Sequence, residues 1–290
     1  RVLGHEVSGQ VVGLGKGVTG FYEGARIMAT HHVPCNSCHY CLRGQHTICD
    51  TLKTTNFDPG GFAEFIRLPA INVDRGVYEL PETVSYEEGS FVEPLGCAIR
   101  GLRQAQMQAG RSVLILGSGM AGLLFVQLCR TLGADLIAAT DIEDFRIQAA
   151  KQLGADVALH ALEEIGPPLR QLNNDKLVDL VVICTGAPSA IHQAIESVSP
   201  GGTILLFAPT APSVESSLNL QRMWSDGITL TTSYGASPSD LSQAMALIRS
   251  KRLRPAEMVT HRLSLSETGL GFQLVSDAKD SLKVIIEPQR

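Results

Sequence analysis

The stretch from Val113 to Leu124, V-L-I-L-G-S-G-M-A-G-L-L, constrains this chain more than any other, because a strand-like apolar run meets three spaced glycines and then a helix-like apolar run. A short continuous apolar run suits a strand buried on both faces, as in a parallel sheet. Gly117 lets the backbone turn sharply, Gly119 lets a ligand approach the main chain, and Gly122 lets the following helix pack close to the strand. Ser118, Met120 and Ala121 fill the positions between, so their amides border the same turn. The helix N-terminus has unpaired N–H groups and the positive end of the helix dipole, which together stabilise an anion. The segment reads as a cradle for the pyrophosphate of a dinucleotide. A second strand, Leu136 to Thr140, ends at Asp141, about twenty residues past the glycines, where a carboxylate accepts hydrogen bonds from a ribose. An acid there favours NAD over NADP. The competing reading makes Asp141 the N-cap of a helix beginning near Asp144.

Further strands are expected at Val157, Val178, Thr203 and Ile228, alternating with helical segments from roughly Gly101 onward. That alternation specifies an α/β fold, a Rossmann-type doubly wound parallel sheet. Ligands bind such sheets at the carboxyl ends of the strands, so Thr185 and Gly186, and Ala208 with Pro209, are expected to line the nicotinamide half of the coenzyme. Ordinary loop turns share that composition.

Residues 1 to 70 have a different character, with Gly, Val and Thr in short alternating runs, Val7 to Leu14 and Ala25 to Thr30, that predict small antiparallel strands. A strand pair is expected to open at Gly60 to Glu64. Of seven cysteines, four form Cys35-x-x-Cys38-x-x-Cys41 with Cys49 shortly after. Four thiolates close a tetrahedral shell around zinc and leave no open position, which makes a structural site. A redox pair is the competing reading. His31, His32, His39 and His46 are expected to be solvated loop residues, not ligands.

With 290 residues, 44% hydrophobic and 18% charged, the chain can form two cored domains. A net charge of -5 and a pI near 5.9 provide no basic footprint, so no nucleic-acid partner is expected. No apolar run approaches the roughly 18 residues that span a bilayer, so no membrane partner is expected either. Clustered cysteines suit a reducing compartment, and the expected location is the cytoplasm.

Two more motifs complete the pattern. Gly4, His5, Glu6, Gly9, Gly15 and Val18 fit G-H-E-x-x-G-x-x-x-x-x-G-x-x-V, and Glu93, Pro94 and Leu95 form an E-P-L element. In isolation, a His beside a Glu is a surface or core pair, and a Glu before Pro is a solvated turn residue. In this order, with the cysteine lobe between them and the glycine cradle after, they resemble the zinc-dependent medium-chain dehydrogenase/reductase (alcohol dehydrogenase) superfamily, in its sorbitol/threonine dehydrogenase-like branch. The resemblance covers the whole chain. It implies that His5 and Glu93 hold a catalytic zinc, that Glu6 is a ligand or a neighbour of one, and that Arg146 lies near the adenine. It also implies a structural zinc on Cys35, Cys38, Cys41 and Cys49.

By the same resemblance, a GroES-like catalytic domain, discontinuous over residues 1–97 and 236–290 with a zinc lobe at about 31–52, accompanies a Rossmann domain over 98–235. The implied activity is NAD-linked interconversion of a secondary alcohol, polyol- or sugar-like or threonine-like, with its ketone. Zinc lowers the pKa of the substrate hydroxyl and nicotinamide takes the hydride. A homodimer or homotetramer is implied. Ser233 stands where several polyol-oxidising relatives have an Arg. The family's first zinc ligand, a cysteine upstream of G-H-E, and the Ser or Thr that opens its proton relay have no counterpart in this sequence, which starts at Arg1. Catalytic impairment of the chain as written is therefore expected. Two other readings compete: a non-catalytic dinucleotide- and zinc-binding scaffold, which would have no need of His5, Glu6 and Glu93 together, and a quinone or enone reductase of the same superfamily.

Overall fold

The computed structural model describes residues 2–290. The chain divides into two compact units, one of Arg1–Cys97, Gly235–Asp277 and Lys283–Arg290, the other of Ala98–Tyr234 and Ala278–Leu282.

In the first unit, β1 (Val7–Gln10) pairs antiparallel with β2 (Arg26–Ala29), which pairs antiparallel with β3 (Val77–Glu79). The expected strand from Val7 to Leu14 stops at Gln10, where a glycine-rich loop begins. The expected strand pair at Gly60 to Glu64 does not form. One isolated antiparallel bridge, Asp58 with Arg67, stands there instead, and the glycines serve a different purpose described below.

The second unit is a parallel sheet of β4 (Ser112–Leu116), β5 (Leu136–Asp141), β6 (Val157–His160), β7 (Val178–Ile183), β8 (Val198–Leu206) and β9 (Thr229–Thr232). Its spatial order is β6-β5-β4-β7-β8-β9. Every residue of β4 and β5 is buried, as a strand covered on both faces requires. Leu114, Leu116, Val181, Ile183, Ala194 and Val198 pack in one core cluster, each larger side chain contributing about 1.5–3 kcal/mol by leaving water. The strand order reverses between β4 and β7. Connections leaving their carboxyl ends diverge there, and in open sheets of this kind ligands bind at such a switch point.

The chain then returns to the first unit. After the helix Pro238–Arg249 come β10 (Val259–Ser264) and β11 (Lys283–Glu287), which pair in parallel, with the helix Thr268–Asp277 between them. The short helix Tyr86–Ser90 joins these late residues to the early ones. Glu87 pairs with Arg262, Glu88 accepts from Lys251 at 2.7 Å, and Ser8 donates to the Tyr86 carbonyl at 2.5 Å. Burial raises the Glu88 carboxyl, but hydrogen bonds from Lys251 and Ser85 outweigh it and leave the pKa lowered.

Among the described residues, no helix is long and apolar enough to cross a membrane.

Candidate functional site

His5 and Glu6 are placed by a crossing of two backbone segments that only glycine permits. Gly61 N–H donates to the Gly4 carbonyl at 2.8 Å, and Phe62 N–H to the Leu3 carbonyl at 2.9 Å. A Cβ on Gly60 would lie 2.1 Å from the Val2 oxygen, and one on Gly61 would lie 2.6 Å from the Gly4 carbonyl carbon. The glycines after the cysteine lobe thus bring the G-H-E turn to a fixed position.

Glu93 lies in the first turn of the helix Val92–Gln104. Pro94 is tolerated there because first-turn amides have no partner within the helix, and an acid there complements the helix dipole. Glu93 is only 9% exposed, beside the fully buried Phe91, Val92 and Leu95. Burial, and then the Glu6 charge, push its carboxyl up to about 7, while the Cys97 thiol, 3.5 Å away, and Lys283 pull in the other direction. The turn of solvated residues that Glu93-Pro94 suggests in isolation is therefore not what forms.

One donor atom from each of His5, Glu6 and Glu93 lies within 4.8 Å of the other two. The ammonium of Lys283 meets Glu6 and sits 5.1 Å above the Phe91 ring. Burial first and the neighbouring Glu6 charge second raise the Glu93 carboxyl, and the Lys283 ammonium offsets them only in part. An imidazole nitrogen and carboxylate oxygens are zinc donors, and their atoms lie close enough to share one ion, so these residues fit a zinc ion.

His31 and His32 are not the solvated loop residues the sequence predicts. Both are half-buried, their rings stack at 3.7 Å, and the His31 ring lies 4.5 Å from that of His5. His39 is exposed and His46 half-buried.

The four cysteine sulfurs also lie within 4.8 Å of one another. Cys49 and Cys35 are 3.6 Å apart, and Cys35 and Cys41 are 4.0 Å apart. These match the edge of about 3.8 Å expected for a sulfur tetrahedron with Zn–S bonds of about 2.3 Å. Backbone amides of Cys35 and Cys38 donate to Cys49 Sγ and Cys35 Sγ at 3.4 and 3.2 Å, as they do to thiolates. Hydrogen bonds from Ser37 and Cys38 draw the Cys35 thiol down to about 5, whereas burial pushes Cys41 up to about 12. The donor set fits a closed structural zinc.

In the second unit, Gly117 leaves β4 with φ +95° at the switch point, where its added Cβ would meet Thr185 Cβ at 3.1 Å. Gly117 and Thr185 are thus adjacent. Gly186 follows, with the Pro209 carbonyl 3.1 Å from where its Cβ would be. Gly119 caps the helix Met120–Thr131 and has no side chain to bond the first-turn amides around Met120, Ala121 and Gly122. Arg146 Nη1 lies 3.7 Å from where a Gly119 Cβ would be, so its cation borders the glycine turn.

Asp141 is the last residue of β5 and is 6% exposed. It is not a helix cap, since the N-cap of Asp144–Gln152 is Glu143. Its Oδ2 accepts from Ser118 N–H at 2.7 Å, and its Oδ1 accepts from Ile142 and Glu143 N–H at 2.8 and 3.1 Å. A carboxylate has about four acceptor positions, so about one remains for a ribose hydroxyl. A 2′-phosphate would instead meet a buried negative charge. At about 4 Å and an effective dielectric near 20, each pair of unit charges repels by about 4 kcal/mol. Asp141→Ala is expected to lower the ratio of NAD to NADP catalytic efficiency by roughly tenfold or more, about 1.4 kcal/mol. Because it is a ratio measured on one enzyme, general destabilisation cancels, and an unchanged ratio counts against the role of Asp141.

A β-rich unit with a nitrogen–oxygen donor cluster and a four-thiol lobe, and a second unit with a dinucleotide cradle, define the class of zinc-dependent dehydrogenases. Residues 1–82 match the alcohol dehydrogenase GroES-like domain, and residues 121–250 match the zinc-binding dehydrogenase family. The L-threonine 3-dehydrogenase of Bacillus velezensis is 33% identical over 99% of this chain and 82% of its own length. That of Shewanella halifaxensis is 28% identical over 98% and 82%. The alcohol dehydrogenase TADH from Thermus sp. ATN1 superimposes with a TM-score of 0.84 at 30% identity, covering 99% of this chain and 84% of that one. The chain therefore belongs to the zinc-binding dehydrogenases of the alcohol dehydrogenase superfamily, the medium-chain dehydrogenase/reductases. It is an oxidoreductase, and its cofactors are zinc and a nicotinamide dinucleotide.

Two participants escape sequence reasoning. Lys283 is 277 positions from Glu6, and the only local sign of it is a lysine opening a strand whose next three residues are apolar. His31 has a visible cue, a pair of histidines just before the cysteine lobe, but nothing in the sequence aims it at His5.

Proposed function

We propose that the protein oxidises a secondary alcohol to its ketone, with His5, Glu6 and Glu93 holding the catalytic zinc and NAD accepting the hydride. The carrying observation is the convergence of these three donors on one point. Zinc bound there supplies Lewis acidity toward the substrate hydroxyl. Glu93 brings negative charge into an apolar pocket, Lys283 holds Glu6 in place, and the buried wall of Phe91, Val92 and Leu95 keeps water from the back of the centre. Cys35, Cys38, Cys41 and Cys49 hold the structural zinc. Gly117 through Gly122, Arg146, Thr185 and Gly186 bind the coenzyme, and Asp141 selects NAD.

The substrate class is a small polyhydroxy or threonine-like alcohol. Support comes from the resemblance to L-threonine 3-dehydrogenases along almost the whole chain. The assembly is a homodimer or homotetramer, working in the cytoplasm.

The test is NADH formation, followed by absorbance, over L-threonine, polyols and simple primary alcohols, with zinc counted in the same preparations, on a full-length protein that supplies the upstream cysteine and the Ser or Thr of the relay. The expected result is about two zinc ions per chain and a preference for secondary alcohols. His5→Ala is expected to remove one zinc and lower turnover by roughly 10³-fold, equivalent to about 4 kcal/mol of transition-state stabilisation. Full turnover by His5→Ala, or about one zinc in the parent, would overturn the reading.

A further inference from the structure

Asn72 is fully buried in the short helix Ala70–Arg75, far in sequence from any residue of the metal centre. Its Nδ2 donates both protons to consecutive main-chain carbonyls, Thr30 at 3.0 Å and His31 at 2.9 Å. Adjacent carbonyls of an extended strand point in opposite directions, so one amide can take both only where the chain has left strand geometry. Asn72 thus fixes the bend that ends β2. Its Oδ1 is buried and accepts no hydrogen bond, a costly state for a buried acceptor. The residue therefore acts here through its two donors.

The same helix and its C-cap grip the bent segment at two more points. Thr30 N–H donates to the carbonyl of the C-cap Gly76 at 2.8 Å, and Arg75 Nη1 donates to the Pro34 carbonyl at 3.2 Å, while Gly76 N–H closes the helix on the Asn72 carbonyl at 2.8 Å. A Cβ on Gly76 would lie 2.4 Å from Val33 Cγ1, so helix and segment touch without a gap. Beyond Pro34 the chain enters the cysteine lobe at Cys35, and Thr55, just past the lobe, accepts from Val33 N–H at 2.9 Å. Residues 30–34 are consequently held from both sides.

What this grip presents is the stacked pair of His31 and His32, with the His31 ring tilted 52° against His5 at 4.5 Å. His5 is otherwise exposed, and a ligating imidazole needs a neighbour to set its orientation. We propose that Asn72 is a positioning residue for the metal centre: by clamping the Thr30 and His31 carbonyls it holds the His31–His32 stack as a brace that orients the His5 ring. The proposal rests on the reading of His5 as a zinc ligand.

The test compares Asn72→Asp, which keeps the shape but replaces both donors, with Arg75→Met, which loosens the same segment at Pro34 only. Glu88→Gln, which breaks the ion pair with Lys251 and leaves the bonds of the Asn72 clamp intact, serves as a destabilised control. Three readouts are taken on the holoenzyme: the visible spectrum after cobalt replaces zinc, kcat and KM, and the NMR resonances of the His31 and His32 rings. Asn72→Asp is expected to retain its metal, shift the cobalt bands, lower kcat by roughly tenfold or more, and move both ring resonances toward those of free histidine. Arg75→Met is expected to move the same readouts in the same direction by less, and supplies the answer if Asn72→Asp fails to fold. Glu88→Gln is expected to lower the melting temperature while leaving all three readouts unchanged. Unaltered ring resonances and kcat in both clamp variants would overturn the proposal, as would equal changes in Glu88→Gln. Absence of cobalt at His5 in the parent would sink the reading of the centre, whereas the ring resonances still decide whether Asn72 holds the stack.

Discussion

Replacing Gly122 with alanine is expected to weaken dinucleotide binding by roughly 10- to 100-fold, about 1.4–2.7 kcal/mol. The added Cβ would lie 1.9 Å from the Gly117 carbonyl oxygen, 3.0 Å from its carbonyl carbon and 3.3 Å from Ile115 Cγ2. Optimal separations are about 3.5 Å, so the overlap with the oxygen exceeds what rotamer adjustment can absorb. The obstructing atom belongs to the main chain of the turn itself. Overpacking costs about 1–3 kcal/mol where side chains can yield, and here either the helix Met120–Thr131 or the glycine turn must move. Either motion takes the helix amides away from the pyrophosphate. Titration of NADH fluorescence measures the loss, and zinc content serves as the internal check, since both metal-donor sets lie in the other unit. An unchanged affinity would mean that the coenzyme does not depend on this turn.

Cys49→Ser is expected to remove one zinc per chain and unfold the cysteine lobe locally. The lobe consists of the helix His39–Leu42, a single 3₁₀ turn at His46–Ile48 and the helix Asp50–Thr54. Its buried cluster contains Cys41, Cys49 and Leu52, with Cys35 and Cys38 packed against it, so Leu52 is the one side chain in it that is not a cysteine. Burying a leucine contributes about 1.5–3 kcal/mol. Ordering each residue of the lobe costs about 1–2 kcal/mol in backbone entropy. One leucine cannot offset that, whereas a structural zinc contributes about 10–16 kcal/mol in small metal-folded domains. Hydrogen exchange should therefore show lost protection across residues 35–54, with NADH affinity unchanged because the cradle lies in the other unit. Full protection at reduced zinc would show that side-chain packing alone maintains the lobe.

Much of this protein can be read without its structure, for a physical reason that differs from motif to motif. The cysteine lobe is legible because its ligands are local, with each spacing set by one turn of chain. The cradle is legible because glycine spacing is dictated by backbone sterics: Gly122 has the Gly117 oxygen where a Cβ would be. The parallel sheet is legible because strands buried on both faces leave unbroken apolar runs, as in β4 and β5.

The failures share one cause as well. Gly60 and Gly61 suggest a strand pair, but they are glycine because Val2 and Gly4 pass within a Cβ radius of them. His31 reads as a loop residue, yet its carbonyl is held by Asn72, some forty positions on, and its ring lies against that of His5. Lys283 carries no motif, and its meaning comes from Glu6 at the opposite end of the chain.

By itself, the sequence determined the fold class, the lobe, the glycine turn from Gly117 to Gly122, and the residue types able to hold zinc and a dinucleotide. Only the tertiary structure decided which charge meets Glu6, how deeply Glu93 is buried, which imidazole lies against His5, and which amides Asp141 engages. Local spacing fixes whatever one turn of backbone can enforce. Desolvation, charge pairing and ring contacts depend on atoms that chain folding alone brings within a few ångströms.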